Sequence, residues 1–269
     1  MKFSISNIAL PEYQHFSELM SLRELGFEGL EVAPSRIWRD TLNGVTNHSV
    51  DQYRREVEEA GLKVVGLHSL FFDQPELGLF LDKEHRTKTL DYLTHLSKVC
   101  RDLGGKTLVY GGGRWRDNIS DRAAITETIS FLSDLIPRIE SHGTTLCFEP
   151  LEKKYTNFIN SVSESIDIVK LVGHSSVGVQ IDAKELAISN ELTLEAFERA
   201  APFLVHVHVN EPGLGVLSGS GTVDHLLISK LLNLINYQGY VSLEQKMVNK
   251  VFSIKPIQIS AKIMSEVYL

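Results

Sequence analysis

Four short runs in the second half of the chain each read as a buried strand that ends in one side chain able to bind a metal ion. They are Thr145-Leu-Cys-Phe-Glu149, Val177-Gly-Val-Gln-Ile-Asp182, Leu204-Val-His-Val-His208 and Val241-Ser-Leu-Glu244. The gaps between the terminal residues are 33, 26 and 36 residues, and each gap accommodates one helix and its loops besides the next strand. If the four strands are neighbours in a parallel barrel, three carboxylates and one imidazole meet at its mouth.

Strand-like and helix-like runs alternate along the rest of the chain, which predicts a parallel sheet. The predicted strands begin near Lys2, Gly29, Lys63, Lys106, Thr144, Val177, Leu204 and Tyr240. Helical patterns between and after them cover residues 50–61, 84–103, 121–142, 161–172, 222–236 and 257–267. We therefore expect an α/β fold, a (β/α)8 TIM barrel that forms a single domain over residues 1–269. A doubly wound open sheet is the main alternative, but no Gly-x-Gly-x-x-Gly turn follows an early strand.

Composition limits the classes of function. The 269 residues carry 27 basic and 34 acidic side chains, a net charge of −7, which disfavours a nucleic-acid surface. No apolar run approaches the roughly 20 residues of a membrane span. The N-terminal segment alternates like a strand rather than a signal peptide. Two cysteines, Cys100 and Cys147, read as reduced apolar residues, so we expect a cytoplasmic protein with no membrane partner.

The inner faces of the four strands are unusually polar for buried strands. In the third β-strand of this set, Val205 and Val207 lie opposite His206 and His208. Taken alone, Asp182 could cap a helix and His208 could be a hydrogen-bonded core histidine. However, a carboxylate inside a barrel would be very costly in free energy without a partner, and one shared cation would offset this cost for all four strands. The sequence therefore predicts a divalent metal site of three oxygen ligands and one nitrogen, suited to Mn, Mg or Co, with Zn as a further option.

The motifs Phe148-Glu-Pro-Leu151, Ile181-Asp182, His206-Val-His-Val-Asn-Glu211 and Leu243-Glu244 resemble those of the sugar phosphate isomerase/epimerase superfamily, the xylose-isomerase-like barrels. The resemblance implies a metal-dependent isomerase or epimerase that acts through an enediolate. It implies that Glu149 and Glu244 bind the metal and form the acid/base pair, and that Asp182 and His208 complete the metal shell. A small carbohydrate or sugar phosphate is the implied partner.

Three positions depart from the ketose epimerases that this chain resembles. Glu185 stands where those enzymes usually have a histidine, Leu214 where they have an arginine, and Tyr155 near a loop glutamate. These departures do not affect the predicted metal ligands. They do weaken the assignment of this chain to the ketose epimerases. Two alternatives use the same site: dehydration of a keto-sugar or cyclitol, and a catalytically silent sugar-binding barrel.

Six further residues are candidate substrate contacts: His68, Arg114, Glu211, Lys184, Lys246 and Glu31. Arg114, in Gly111-Gly-Gly-Arg-Trp-Arg116, and the two lysines could bind an anionic group, or be ordinary loop and surface residues. His68 could instead be a core histidine, and Glu31 could support the metal shell. The loop 219–224 is a weaker phosphate candidate. The apolar loop around Phe71 could be a lid or a contact in a homodimer.

Overall fold

A computed structural model gives the structure of residues 1–218 and 221–269. Within these residues, eight parallel strands close into a barrel in the order β1 to β8, and β1 pairs with β8. The strands are β1 Lys2–Ser6, β2 Gly29–Val32, β3 Lys63–Leu67, β4 Thr107–Tyr110, β5 Thr145–Phe148, β6 Val177–Asp182, β7 Leu204–Val209 and β8 Tyr240–Leu243. The predicted (β/α)8 barrel is confirmed, and each strand begins within one residue of its predicted start.

An outer layer of α-helices surrounds the strands. In the described part of the chain they are α1 Phe16–Glu24, α2 Asn47–Glu59, α3 Lys83–Asp102, α4 Asp121–Ile139, α5 Val162–Val172, α6 Ala183–Ser189, α7 Leu194–Ala200, α8 His225–Leu234 and α9 Lys255–Val267. Leu93, Leu96 and Cys100 of α3, which the helical spacing aligns, are fully buried. The helices thus pack their apolar faces on the outer side of the barrel.

Local signals set the helix boundaries. The chain turns after α2 at Gly61, whose φ of 75° favours glycine. The Ser161 side chain accepts a hydrogen bond from the backbone N–H of Glu164 and so caps the start of α5. Both helix boundaries were predicted from the sequence.

Strand register brings the polar strand ends to one level. Asp182 on β6 pairs directly with His208 on β7, and His208 pairs with Ser242 on β8. Glu31 on β2 contacts His208, although β2 and β7 are not paired, so both side chains lie inside the barrel. The carboxyl ends of the strands therefore form a polar mouth, where TIM barrels carry their active sites.

Two further features concern membrane spans and cysteines. Within residues 1–218 and 221–269, no helix is long and apolar enough to cross a bilayer. Cys100 and Cys147, both among those residues, are buried and are not joined in a disulfide.

Candidate metal centre

Four side chains converge at the carboxyl end of the barrel. One ligand atom from each of Glu149, Asp182, His208 and Glu244 lies within 4.8 Å of the others. The Nδ1 atom of His208 is 3.4 Å from Glu149 Oε1, 3.8 Å from Asp182 Oδ2 and 3.6 Å from Glu244 Oε2. The structure thus brings together the four residues that the sequence offered as ligands, and forms a candidate divalent metal site.

The chemistry of this cluster fits a cation. His208 Nδ1 is buried and has no hydrogen-bond partner among the described residues, although three carboxylates surround it. Burial opposes a charge on His208, but the negative charges of Glu31 and Glu244 outweigh it and raise the pKa of His208 well above its usual range. A site that attracts a proton so strongly also attracts a metal ion, which needs the same lone pairs.

Glu31 holds the opposite side of the His208 ring. Its carboxylate lies 2.9 Å from His208 Nε2, accepts a hydrogen bond of 2.9 Å from Ser242 Oγ, and lies 2.9 Å from His206 Nε2. Such carboxylate–histidine contacts fix the ring orientation and the tautomer of a metal ligand. Glu31 is fully buried behind His208. This position favours the alternative in which Glu31 supports the metal shell, and its contact with substrate stays a prediction.

Asn210, which the sequence analysis missed, links two of the four candidate ligands. Its Nδ2 atom donates to Asp182 Oδ2 at 2.7 Å and to Glu244 Oε2 at 2.8 Å. Its Oδ1 atom accepts a hydrogen bond from the backbone N–H of Lys184 at 3.1 Å. The one available signal was its position two residues after His208, which places both on the same strand face.

The two glutamates differ from the other members of the cluster in exposure. The side chains of Glu149 and Glu244 are each 12% exposed, whereas those of Asp182 and His208 are 1% and 0% exposed. Burial raises the pKa of Glu149, and the neighbouring charge of Glu244 adds to this effect. Burial acts the same way on Asp182, but the charges of the nearby His208 and Lys184 outweigh burial and lower its pKa. Because the side chains of Glu149 and Glu244 are partly exposed, a substrate at the mouth can reach them.

His68 also lies at the cluster. Its Nδ1 atom is 3.6 Å from Glu244 Oε1, and its Nε2 atom is 2.5 Å from Ser6 Oγ. The ring is 1% exposed and packs edge-on against the ring of His208 at 5.8 Å between centroids. The structure therefore places His68 beside one of the two accessible glutamates, and its contact with substrate stays a prediction.

The two candidate lysines have different surroundings. The Lys184 Nζ atom is 2.5 Å from Glu185 Oε1, and its side chain is only 12% exposed. Burial raises the pKa of Glu185 to about 7, despite this pairing. Lys246 is exposed, and its backbone N–H donates to the carbonyl of Leu214. Only Lys184 thus lies against the cluster, with its charge already paired.

Arg114 does not form the anion clamp that its loop suggested. Its side chain is fully buried, and its guanidinium donates to the main-chain carbonyls of Tyr110 at 3.1 Å and Glu149 at 2.7 Å. Burial lowers the pKa of Arg114 to about 10, so it remains charged at neutral pH. The arginine thus satisfies carbonyl groups at the ends of β4 and β5, and its contact with substrate stays a prediction.

Glu211 also turns away from a simple substrate contact. It is 6% exposed, and its Oε1 atom lies 3.6 Å from Nε2 of His225 at the start of α8. The carboxylate of Glu211 thus faces α8, and its contact with substrate stays a prediction. In the weaker phosphate candidate, Gly219 and Ser220 lie outside the described residues.

Comparisons with known proteins agree with the barrel fold. D-psicose 3-epimerase of Ruminiclostridium cellulolyticum is 24% identical over 236 residues, which cover 87% of this chain and 78% of that protein. The 3-dehydro-D-guloside 4-epimerase of Escherichia coli is 23% identical over 257 residues, which cover 91% of this chain and 92% of that protein. A crystal structure of D-psicose 3-epimerase with D-tagatose, from Clostridium cellulolyticum, has a TM-score of 0.83 at 20% identity, covering 100% of this chain and 99% of that chain.

A family model gives the same result over most of the sequence. The model described as a xylose isomerase-like TIM barrel matches residues 20–265, a range that includes all four residues of the candidate metal centre. The chain therefore belongs to the xylose isomerase-like TIM barrel family.

Proposed function

We propose that this protein is a divalent-metal-dependent isomerase or epimerase of a sugar or a related keto-compound. The observation that carries the proposal is the asymmetry of the metal centre. Two buried ligands, Asp182 and His208, lie beside two glutamates that keep access to the mouth. A purely structural metal site would be closed on all sides, whereas a catalytic one leaves a side open to substrate.

Glu149, Asp182, His208 and Glu244 would hold the ion, and three oxygen donors with one nitrogen favour Mn, Mg or Co, with Zn as a further option. When bound, the ion would polarise the substrate carbonyl and make the neighbouring C–H bond more acidic. Side chains of the protein would transfer the proton, and the residues that line the mouth of the barrel would orient the substrate.

The two accessible glutamates suit proton transfer. A carboxylate of one removes a proton from the carbon next to the carbonyl, and the carboxyl group of the other delivers a proton to the opposite face. We further propose that His68, whose Nδ1 atom lies 3.6 Å from Glu244 Oε1, contacts a substrate hydroxyl.

The relatives named above are sugar epimerases, which supports a carbohydrate substrate. The charges at the mouth favour a neutral sugar over a sugar phosphate, because the two buried cations are already engaged. Arg114 binds main-chain carbonyls, and Lys184 pairs with Glu185. Glu185, Leu214 and Tyr155 stand where ketose epimerases have other residues, so we expect a substrate that differs from a free ketose.

Proton exchange tests the proposal directly. We would incubate the protein with Mn²⁺ in deuterated water with ketoses, keto-glycosides and sugar phosphates, and follow deuterium entry next to a carbonyl by NMR. We expect exchange with at least one neutral sugar, and its loss in Glu149→Gln and Glu244→Gln. Glu152→Gln, on the loop after β5, is the matched control. Exchange that persists in both glutamine variants would remove the proposed roles.

Three broader proposals accompany this function. We propose that residues 1–269 form one domain, which the pairing of the first strand with the last supports.

Two buried cysteines without a disulfide support a reducing compartment, most simply the cytoplasm. Phe72, which is 78% exposed in the loop after β3, supports a contact in a homodimer, to be checked by light scattering.

A further inference from the structure

Asn210 is a fully buried amide at the end of β7, and each of its polar groups has a partner. The backbone N–H of Lys184 can only donate, so the amide oxygen must face it. The amide nitrogen must then face Asp182 Oδ2 and Glu244 Oε2, which accept its two hydrogen bonds. The hydrogen-bond network therefore fixes the orientation of the amide without ambiguity.

The oxygen atoms that Asn210 contacts are the ones that face the centre of the cluster. Asp182 Oδ2 and Glu244 Oε2 receive its two hydrogen bonds, and the same atoms lie 3.8 and 3.6 Å from His208 Nδ1. The ligand atoms of the cluster lie within 4.8 Å of one another, and two negatively charged carboxylates this close repel each other in a low-dielectric interior. One NH₂ group between them offsets that repulsion and sets their spacing.

We infer that Asn210 is a positioning residue that preorganises Asp182 and Glu244 to receive the divalent ion. This inference rests on the proposed metal-binding function. An amide carries no net charge, so it orders the carboxylates without competing with the cation as a lysine would. Each carboxylate oxygen has a second lone pair, which leaves room for a metal ion beside the hydrogen bond.

The inference predicts weaker metal binding when the amide is removed. In Asn210→Ala we expect Mn²⁺ affinity, measured by competition with a chelator, to fall about 10- to 100-fold. We also expect a changed visible absorption spectrum for bound Co²⁺, since the two carboxylates lose their fixed spacing. If the alanine variant does not fold, Asn210→Ser, which keeps a short donor, carries the same comparison with a smaller loss.

A control separates positioning from general stability. Asn7 is also fully buried, and its side chain bonds both main-chain groups of Ala33. Asn7→Ala should lower the melting temperature without changing Mn²⁺ affinity or the Co²⁺ spectrum. Wild-type affinity and spectrum in Asn210→Ala would overturn the inference and leave the proposed function standing. Failure of the wild-type protein to bind either ion would overturn both.

A charged variant tests the donor specifically. Asn210→Asp keeps the size of the side chain and the acceptor for Lys184, but replaces the NH₂ group with an anionic oxygen. We expect a lower melting temperature without metal than in Asn210→Ala, because an anionic oxygen then faces Asp182 and Glu244 in place of the donor. Equal melting temperatures of Asn210→Asp and the wild-type protein without metal would contradict a role for the two donated hydrogen bonds.

Discussion

His208 and Glu31 form a carboxylate–imidazole pair in which the two nitrogen atoms of the His208 ring face different groups. The Nε2 atom of His208 lies 2.9 Å from the Glu31 carboxylate, while its Nδ1 atom faces the three carboxylates of the candidate metal centre. Both side chains are completely buried. Because Nε2 shares a proton with Glu31, Nδ1 is the nitrogen atom that would lose its proton and give its lone pair to a bound cation.

Glu31→Gln should therefore weaken metal binding although Glu31 is not itself one of the four ligands. The amide can still contact the ring, but it no longer fixes the tautomer or increases the basicity of the imidazole. We expect Mn²⁺ affinity to fall about 10- to 100-fold by chelator competition. Glu28→Gln, on the exposed segment before β2, should bind Mn²⁺ as the wild-type protein does. Unchanged affinity in Glu31→Gln would show that the pair is only structural.

Gly111 gives the Glu149 side chain its space. A Cβ atom at this position would lie 2.4 Å from Glu149 Oε2, so the carboxylate would have to move. A displacement of about 1 Å can lower a catalytic rate roughly 100-fold. We expect Gly111→Ala to lower kcat by about 10- to 100-fold with little change in melting temperature, because only the end of a flexible side chain is displaced.

The next glycine provides the control for this substitution. Around a Cβ atom on Gly112, no heavy atom of the described residues lies within 4 Å, apart from its chain neighbours. Gly112→Ala should keep the wild-type kcat. Equal rates for the two alanine variants would mean that the position of the Glu149 carboxylate does not limit the reaction.

Arg114→Lys separates a structural arginine from a substrate clamp. A lysine cannot donate in a fork to the carbonyls of Tyr110 and Glu149, and we expect a loss of about 2 to 3 kcal/mol in the free energy of unfolding. Urea denaturation measures this loss. Arg116→Lys, at a partly exposed arginine paired with Asp121, should cost less than about 1 kcal/mol. Wild-type stability together with a raised KM for anionic substrates would restore the clamp interpretation.

The parts of the site that lie on strands were predictable from the sequence. A strand alternates with a period of two residues, so Asp182 and His208 could be assigned to an inner face without knowing the structure. Closing eight such strands then places their ends together, and this also fixes Glu149 and Glu244 just beyond β5 and β8. For these residues, local periodicity and chain topology give the same answer.

Residues on loops were not predictable in this way. Arg114 turns inward because two strand-end carbonyls need donors, and Glu211 turns toward His225, a neighbour that only the folded chain provides. Asn210 was missed because an uncharged amide carries no metal-ligand signal. Its role depends on the distance between Asp182 and Glu244, which belong to different strands.

Protons and a metal ion compete for the same atoms, which sets the expected pH dependence. In the metal-free protein, carboxylates including Glu31 overcome burial and raise the pKa of His208 well above its usual range, and burial raises the pKa of Glu149. A group whose pKa is raised on folding stabilises the protein fully below its unfolded pKa, and this contribution is lost as the pH rises through the folded pKa. The pKa values of Glu31 and Asp182 are lowered, so the contributions of these two groups to stability change only at more acidic pH.

We therefore expect stabilisation by Mn²⁺ to grow as the pH rises from about 5 to about 8, because the metal-free protein loses stability while the loaded site needs no protons. Melting curves with Mn²⁺ and with a chelator, recorded across this range, give the difference directly. Glu149→Gln removes one titrating group from the cluster, so the difference should rise less steeply with pH. A difference that stays constant, or that shrinks toward alkaline pH, would show that the ion does not displace protons from His208 and Glu149.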